Sequence, residues 1–514
     1  STADCIFTLS SLIHLRFAGG GKKLYAFFID FRAAFDGICH EFLFQKLNAA
    51  GVSHKFIRVL RVMYAGGRAA VWGRDGLSSF FPIECGVRQG CLLSPLLFCL
   101  YVRDLVDTLP CGIALQNTTV KALMYADDIV VMAESPVDLR RNILRLESYC
   151  ERWGLSLNLA KSKIMVFRRG GRLRGDERWS FRGERIDIVK SYKYLGVEIT
   201  SGLSFSSHLA DRASAAKRSI NSIFRSFFCQ RLVPMEAKFR VFCSVARAIL
   251  CYASQVWGFS QYRVVEQVQR HFIKMVMGLP RNTPDYIIYL ESEVEPIFVH
   301  TLVSHCRYVL KILEMPAARL PRLVALEVIQ RSVFWFNDVK RLAERYGCSF
   351  DGDPDNLPAW RAQSEALVAA IGSSWRRDIL AKAMSSSVGF YSQIDLSRKC
   401  ASVTSAGSEQ PLWVRRWIIR FRGALLTLNH VPYGDKPFDR SICALCNMRV
   451  LEDALHFLAI CPVLGEIRVR FLGSATLDLG ALLDMMSGGN WRGLAEYGRL
   501  AWRYRSELIA EFNW

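Results

Sequence analysis

The sequence reads ALMYADDIVVMA at residues 122–133, where two apolar arms flank Asp127 and Asp128. Apolar arms around a short polar centre are typical of a β-hairpin with the polar pair at its tip. A second apolar run of strand length, LYAFFID at residues 24–30, ends with Asp30. Either aspartate motif alone is more often a simple turn. If the two strands are neighbours, however, the carboxylates converge, and convergent carboxylates suit Mg²⁺, which prefers oxygen ligands.

Residues 1–200 alternate short β-rich runs with helical stretches, which predicts an α+β fold with a sheet and covering helices. The predicted helices cover residues 41–47, 55–64, 94–109 and 136–153, and further strands are predicted over 163–168 and 192–200.

From about residue 205 to residue 345 the pattern turns helical. Helices are predicted over 207–228, 234–257 and 491–512, with weaker helical character over 359–405. Pro354 and Pro358, with the glycine and aspartates around them, predict a linker.

The charge balance favours a polyanionic partner. Lys and Arg total 67 against 47 Asp and Glu, a formal net charge of +20, and nucleic acid is the commonest partner of such a basic chain. Hydrophobic residues make up 51% of the 514, which excludes a disordered tail and allows more than one core. We find no signal-peptide pattern in the printed sequence and no apolar run long enough for a membrane span, so we expect no membrane partner.

Most of the 16 cysteines occur singly inside apolar runs, as Cys99, Cys229, Cys243 and Cys251 do. Such cysteines are typical of buried, reduced thiols in an intracellular protein.

A tight Cys/His group near the C-terminal end of the sequence indicates a metal site instead. Cys443, Cys446, His456 and Cys461 are separated by two, nine and four residues, a spacing that predicts a structural Zn²⁺ site without catalysis. A histidine in so apolar a stretch could otherwise belong to the core.

The segment just before this group mixes charge and aromatic rings, as proteins that bind single strands do. Its members are Arg415, Arg416, Trp417, Arg420 and Phe421.

Five ordered motifs resemble a known family. They are FIDFRAAFD at 28–36, GVRQGCLLSP at 86–95, YADD at 125–128, WGLSLNLAKSK at 153–163 and YKYLGVEI at 192–199. Together they resemble the reverse transcriptases of LINE-type (non-LTR) retrotransposons over roughly residues 1–260, and the Cys/His group is similar to C-terminal knuckles of Jockey-like elements. The resemblance implies a polymerase right-hand palm with incomplete fingers, a helical thumb, a further helical region and a small C-terminal zinc knuckle.

The resemblance also implies a catalytic centre. Asp30, Asp127 and Asp128 would hold two Mg²⁺ ions, assisted by the backbone carbonyl of Ile29. Such a pair of ions activates the primer 3′-hydroxyl and neutralises the departing pyrophosphate.

Further positions match the family's nucleotide site. Phe35 would exclude a ribose 2′-hydroxyl, although it could equally be a core aromatic. Lys161 matches the lysine near the triphosphate, a candidate proton donor to pyrophosphate, and Lys163 competes for that role. The residues Tyr194, Leu195 and Gly196 resemble the primer grip.

The loop before the predicted helix at 94–109 matches the family's template and nucleotide contact. In it Gly86 and Gly90 would let backbone approach the substrate, Gln89 would contact the base pair or template, and Arg88 a phosphate. The alternative is an ordinary turn before a capped helix.

Two basic sets are candidates for nucleic-acid contact. The helical region carries Arg212, Lys217, Arg218, Arg225, Lys238 and Arg240, which could follow duplex phosphates or form a solvated face. A denser set in a flexible loop comprises Arg168, Arg169, Arg172, Arg174, Arg178, Arg182 and Arg185.

The predicted organisation has five parts. They are a palm with a remnant of the fingers (1–204), a helical thumb (205–300), a helical connector (301–405), the basic and aromatic segment with the zinc knuckle (406–466), and a helical tail (467–514). The first residues, 1–4, resemble the end of the fingers motif without the Arg-rich stretch that normally precedes it. We therefore expect a fragment whose parent element carries its endonuclease elsewhere.

The implied activity is RNA-directed DNA polymerisation, primed at the target in the family's manner. The implied partners are an RNA template, a DNA primer or target DNA, and dNTPs, with action in the nucleus at the integration step; the oligomeric state is left open. Three alternatives remain: a catalytically inactive nucleic-acid-binding remnant without complete fingers, a related enzyme such as a group II intron maturase or telomerase, and a zinc-dependent RNA chaperone.

Overall fold

The first 200 residues form a sheet flanked by helices. The computed structural model describes residues 1–116, 118–230, 232–396, 410–430 and 437–512. In chain order the elements of the first part are α1 (Thr2–Ala18), β1 (Lys23–Ile29), α2 (His40–Ala49), α3 (His54–Ala65), β2 (Arg68–Ala69), β3 (Trp72–Gly73), β4 (Gly76–Leu77), β5 (Phe81–Pro82), α4 (Ser94–Val102), α5 (Leu105–Thr108), β6 (Ile113–Leu115), β7 (Thr118–Val120), β8 (Ala122–Tyr125), β9 (Asp128–Ala133), α6 (Pro136–Arg152), β10 (Lys163–Arg168), β11 (Ser180–Phe181), β12 (Glu184–Arg185), β13 (Ile188–Val189), β14 (Ser191–Tyr194) and β15 (Val197–Thr200).

The central sheet has five strands in the order β13-β10-β1-β9-β8. Strand β1 lies in its middle, antiparallel to both β10 and β9. Successive side chains of a strand point to opposite faces, and accordingly Leu24 and Phe28 enter one core while Tyr25 and Phe27 enter the other. Both faces are buried, which explains why β1 is apolar without alternation. The predicted hairpin and the predicted proximity of the two strands are confirmed.

The remainder of the described chain is helical. Its elements are α7 (Ser206–Ile223), α8 (Met235–Val241), α9 (Ala248–Leu250), α10 (Ser254–Trp257), α11 (Arg263–Met277), α12 (Asp285–Ser292), α13 (Ile297–Leu313), α14 (Leu320–Gln330), α15 (Phe334–Arg345), α16 (Leu357–Met384), α17 (Leu412–Arg422), α18 (Phe438–Ser441), α19 (Gly465–Leu472), α20 (Leu479–Asp484) and α21 (Trp491–Phe512). Wide π-helical turns occur at Phe224–Phe228, Phe242–Arg247, His456–Ile460 and Met485–Gly489, and a 3₁₀ turn at Pro462–Leu464.

The predicted linker is confirmed only in part, because residues 346–356 form a non-helical segment between α15 and α16 whereas Pro358 belongs to the helix that follows. Pro358 lies in the first turn of α16, where a missing N–H costs nothing, and the Asn356 side chain caps that helix by accepting from the Ala359 N–H. Trp360 is then buried against Phe336. The stretch predicted as weakly helical is a 28-residue helix only as far as Met384. Residues 385–396 are turns and bends, contrary to prediction, and residues 397–405 lie outside the described residues.

The predicted helix at 234–257 is interrupted. Ala253 adopts a left-handed conformation with φ +58°, so the chain turns between α9 and α10. Helix α13 crosses residue 300, where the thumb was predicted to end.

The N-terminal helix α1 joins the two parts of the chain. It packs against α14 and α10 as well as the sheet. Buried Asp4 accepts a hydrogen bond from the Tyr308 hydroxyl of α13, with 2.9 Å between the oxygens. One core therefore runs from the sheet into the helical region.

The single cysteines are only partly as predicted. Cys251 is buried, but Cys99 and Cys229 are exposed. Helix α4 is apolar around its circumference and buries Leu97, Phe98 and Tyr101, so the run around Cys99 did not reveal which face is solvated. Among the described residues all cysteines are free thiols, and no helix there is both long and apolar enough to cross a bilayer.

Candidate active site

The strand register brings two distant aspartates to one edge of the sheet. Phe28 pairs with Val130 and Ile29 with Ile129, so the next position along the antiparallel ladder sets Asp30 opposite Asp128. Tyr125 pairs with Asp128, which leaves Asp127 in the two-residue turn of the hairpin. The three carboxylates thus belong to neighbouring strand ends.

These carboxylates influence one another. Partial burial, together with the charges of Asp127 and Asp30, raises the pKa of Asp128. None of the three forms an ion pair with a basic side chain of the described residues. An unneutralised carboxylate group in a chain of net charge +20 fits a divalent cation with oxygen ligands. Within the described residues only the Cys/His group brings three or more potential ligand atoms within 4.8 Å of one another, so the three carboxylates are not gathered that closely.

The backbone of Asp30 is held from a second segment. Its N–H donates to Ser162 Oγ at 3.0 Å, and its carbonyl accepts from the Asn158 N–H at 2.8 Å. Ser162 is fully buried and was not predicted as a site residue, because a serine between two lysines carries no local signal of this contact.

The hairpin β14–β15 lies beside the carboxylates. The Tyr192 ring stacks on Phe28 with 4.4 Å between centroids, and burial, with smaller contributions from Asp30 and Asp128, raises the pKa of Tyr192 to about 12. At the hairpin tip Leu195 and Gly196 have φ +46° and +81°. The Tyr252 hydroxyl donates to the Leu195 carbonyl at 2.8 Å. The predicted primer-grip residues therefore lie on a tip that the helical region supports.

The loop at residues 86–90 is hydrogen-bonded to residues 35–38, in the segment that follows β1. The Gly86 N–H donates to Ile38 at 2.8 Å and the Val87 N–H to Phe35 at 2.9 Å. Gln89 Nε2 donates to Asp36 at 3.0 Å, and Arg88 Nη2 donates to the Met63 carbonyl. Gln89 and Arg88 are exposed but held in position by these contacts.

Gly86 is expected to tolerate no side chain. It has φ +91°, and a Cβ would lie 2.9 Å from the Asp36 carbonyl oxygen. We expect Gly86→Ala to lower the free energy of unfolding by about 2–3 kcal/mol, since backbone strain of this kind costs about 1–3 kcal/mol. Gly90→Ala is the matched control, because Gly90 has φ +79° with open space around it. Equal losses for both variants, measured by urea unfolding, would refute the proposed steric contact.

Phe35 and the two lysines occupy different surroundings. Phe35 is half-buried, and its ring lies 5.0 Å from that of Phe98. Lys163 is engaged, because its Nζ lies 2.7 Å from Asp187. Lys161 is exposed and has no ion pair within the described ranges, which favours it over Lys163 as the lysine available to a phosphate.

Comparison with known proteins agrees with this geometry. The profile of the family described as Reverse transcriptase (RNA-dependent DNA polymerase) matches residues 7–199. The RNA-directed DNA polymerase from mobile element jockey of Drosophila funebris is 24% identical over 270 residues, which is 50% of this chain and 29% of that protein. Residues 7–199 are a reverse transcriptase domain.

Two further similar proteins are also named as polymerases of transposons. The probable RNA-directed DNA polymerases from transposon X-element and transposon BS of Drosophila melanogaster are 23% and 26% identical, over 55% and 50% of this chain. The chain spans 29% to 31% of the length of these relatives. Among solved structures, apo telomerase from Candida tropicalis matches with a TM-score of 0.33 and 11% identity, over 71% of this chain and 57% of that one.

Outside the reverse transcriptase domain, the four residues of the Cys/His group come together. One potential ligand atom from each of Cys443, Cys446, His456 and Cys461 lies within 4.8 Å of the others, and all four residues are buried. Cys446 Sγ and His456 Nε2 are 3.4 Å apart. Three thiols and an imidazole at this spacing fit a closed tetrahedral Zn²⁺ site.

A buried ion pair supports the Cys/His group. Glu452, which lies between the ligands in sequence, accepts from Arg505 of α21 through both oxygens, at 2.8 and 2.5 Å. It also accepts from the Asn429 N–H at 2.8 Å. The predictions missed this pair, because its members lie 53 residues apart.

Removing Arg505 is expected to destabilise the C-terminal region strongly. Arg505→Met leaves the Glu452 carboxylate buried without its partner, a change that typically costs about 3–5 kcal/mol. Thermal unfolding should show a lowered midpoint. The matched control is Arg503→Met, which removes an exposed pair with Glu507 and is expected to leave the midpoint unchanged. A similar midpoint for both variants would contradict the supporting role of Arg505.

The basic and aromatic segment is used inside the fold. Arg416 donates through Nε and Nη2 to the Val276 carbonyl, at 3.1 and 2.6 Å, and Arg420 donates to the Gly278 carbonyl. Both therefore satisfy carbonyls at the end of α11, which helix termini leave without partners. These bonds give both arginines a role inside the fold that composition did not predict, and contact of the segment with a single strand stays a prediction.

Of the basic residues predicted for the helical region, some are buried or ion-paired and others have no ion pair. Lys238 is fully buried, and its Nζ donates to the Gln230 carbonyl at 2.8 Å. Arg212 and Arg240 form ion pairs with neighbouring acids. Lys217, Arg218 and Arg225 have no ion pair among the residues described, and they remain candidates for phosphate contact.

Proposed function

We propose that this chain is an RNA-directed DNA polymerase of a non-LTR retrotransposon, which copies element RNA into DNA with two Mg²⁺ ions. The register that sets Asp30 opposite Asp128, with Asp127 in the adjoining turn, carries the proposal. The family match over residues 7–199 supports it.

Asp30 and Asp127 would hold the metal ions, with Asp128 beside them. Bound there, Mg²⁺ would favour loss of the proton from the primer 3′-hydroxyl and would neutralise negative charge on the departing pyrophosphate. The Asp30 backbone, fixed by Ser162 and Asn158, limits the reorganisation that the carboxylates need. Positioning of this kind provides much of the rate in phosphoryl transfer.

The surrounding residues would orient the substrates. The exposed Lys161 would hold a proton for the leaving pyrophosphate, and Phe35 would exclude a ribose 2′-hydroxyl. Arg88, Gln89 and Gly90 would contact the nucleotide and template. The tip of β14–β15 would seat the primer terminus, because it lies beside the carboxylates and rests on Tyr252.

The architecture proposed for this function has a palm and a remnant of the fingers (1–204), a helical thumb (205–300), a helical connector (301–405), the segment with the zinc knuckle (406–466) and a helical tail (467–514). Cys443, Cys446, His456 and Cys461 would hold a structural Zn²⁺, which would stabilise the fold without taking part in catalysis.

The partners proposed are an RNA template, a DNA primer or nicked target DNA, and dNTPs, with synthesis at the target site in the nucleus. The support is the activity named for the relatives, of which the chain spans about 30%.

Primer extension tests the proposal. The chain is incubated with a DNA primer on an RNA template, dNTPs and Mg²⁺, and we expect dNTP-dependent extension that EDTA abolishes. Binding of the primer–template without extension at any Mg²⁺ concentration would favour the inactive remnant instead. Equal strand annealing with and without dNTPs would favour an RNA chaperone.

A further inference from the structure

The densest arginine set lies at the far end of the sheet from the carboxylates. In the pairing of β1 with β10, Lys23 faces Arg168 and Phe28 faces Lys163. Asp30 follows the Phe28 end, whereas the loop at residues 169–179 leaves from the Arg168 end. Seven strand residues separate the two ends, a distance of about 20 Å at ~3.3 Å per residue.

This loop is anchored rather than flexible, contrary to prediction. The Glu177 side chain is 0% exposed. Its Oε1 accepts from Lys23 Nζ at 2.6 Å and from the Tyr25 hydroxyl at 2.7 Å, and its Oε2 accepts from the Arg174 N–H at 2.7 Å. A buried carboxylate that satisfies three donors fixes a loop otherwise rich in glycine.

Trp179 provides a second anchor. Its indole is buried, donates to the Pro136 carbonyl at 3.0 Å and lies 5.7 Å from the Tyr25 ring. Arg140 of α6 also donates to the carbonyls of Asp176 and Arg178, at 3.1 and 3.3 Å. The loop is thereby tied to both the sheet and α6.

The anchored loop, the β11–β12 hairpin that follows it and α6 together present guanidinium groups to solvent. We call the exposed residues Arg172, Arg174, Arg178, Arg182 and Arg185, with Arg140 of α6, the arginine platform. None of the six forms an ion pair with a carboxylate of the described chain. Unpaired arginines on a fixed backbone are arranged to receive anions, because their planar donors match phosphate oxygens.

A cavity lies between three arginines of the platform and is lined by apolar side chains as well. Arg140, Arg178 and Arg185 line a cavity of about 410 Å³ together with Leu144 and Trp179. Glu147 also lines this cavity, and its carboxylate accepts a hydrogen bond from the backbone N–H of Arg182. The volume is within the range of about 300–1,000 Å³ found for small-ligand sites, and it suits one nucleotide unit of a strand.

We propose that the arginine platform binds the backbone of single-stranded nucleic acid outside the primer–template duplex. The platform is a second site, because it lies too far from the carboxylates to contact the reacting nucleotide. The inference rests on the proposed function in one respect, because only a polymerase of this kind would bring such a strand to the platform. The test therefore measures binding and not polymerisation.

The test measures fluorescence anisotropy of RNA and DNA 20-mers of the same sequence, without Mg²⁺ or dNTPs, over a range of salt. All variants carry Asp127→Asn, so failure of polymerisation cannot affect the result. We expect Arg178→Gln with Arg185→Gln to weaken binding and to reduce the salt slope by about 1.4, since each phosphate contact to a single strand contributes ~0.7. The matched control is Arg376→Gln with Arg377→Gln, which removes the same charge from α16.

Equal losses in the two double variants, or an unchanged slope in the first, would overturn the platform. A preference for RNA over DNA would identify the template as the bound strand, and the reverse preference the target DNA. Binding of neither oligonucleotide by the starting chain would also overturn the proposal.

Glu177→Ala separates a fixed platform from general charge. The variant gains one positive charge, so charge alone predicts equal or tighter binding. Loss of the anchor predicts weaker binding with every arginine retained. Thermal unfolding monitors folding of each variant, and if Glu177→Ala does not fold, the arginine double variant and its control decide the question.

Discussion

Asp127→Asn is expected to reduce primer extension by at least about 100- to 1,000-fold, the loss typical of removing one preorganised electrostatic group from an active site. Asparagine keeps the size of the side chain but removes the charge that a shared Mg²⁺ needs. Burial, and after it the charge of Asp127, raises the pKa of Asp128, so the folded state holds the Asp128 carboxylate against repulsion from Asp127. At pH values above the ordinary pKa of Asp128 both carboxylates are charged, and neutralising Asp127 removes their repulsion. The free energy of unfolding near pH 7 is therefore expected to stay equal or rise.

The matched control for Asp127→Asn is Asp107→Asn. Asp107 is exposed on α5 and lies outside the carboxylate edge of the sheet. We expect it to retain the extension rate of the starting chain, while Asp30→Asn behaves like Asp127→Asn. Extension within a few-fold of the starting chain for Asp127→Asn would contradict the assignment, as would a melting temperature that falls together with the rate.

Loss of the Cys/His metal is expected to have the largest effect on stability. Structural Zn²⁺ contributes about 10–16 kcal/mol of apparent binding free energy in zinc-finger peptides, more than a typical domain's net stability. Cys461 is fully buried and lies between the π-helical turn and α19. Cys461→Ala should therefore abolish zinc binding and expose residues 437–472 to protease, and prolonged treatment of the starting chain with a strong chelator should do the same.

Metal analysis and limited proteolysis check this expectation. The starting chain should contain one zinc per molecule, and Cys229→Ala should retain it, because Cys229 is an exposed thiol outside the group. Full protease resistance of a zinc-free Cys461→Ala variant would contradict a stabilising role for the metal.

The parts of the fold that the sequence predicts are those with strong local patterns. The hairpin at 122–133 was predictable because both arms are apolar and the polar pair interrupts them once. The adjacency of β1 followed from the family resemblance, since periodicity does not specify which strands pair. The Cys/His group was predictable from its spacing.

The missed features depend on residues far apart in the chain. Glu177 meets Lys23 across 154 residues, and Glu452 meets Arg505 across 53. Local composition carries no signal of either partner. Pro358 and Arg416 show a related difficulty, because a proline can end a segment or begin a helix and an arginine can bind a phosphate or a carbonyl. Only the packed neighbours decide between those roles.

The most direct test of the central claim is an experimental structure of the chain with primer–template, an incoming dNTP and Mg²⁺. The proposal predicts carboxylate oxygens of Asp30 and Asp127 at about 2.0–2.1 Å from a common ion, the usual Mg²⁺–oxygen distance. Carboxylates that stay on separate sides of the nucleotide, with the ions held by other residues, would contradict it.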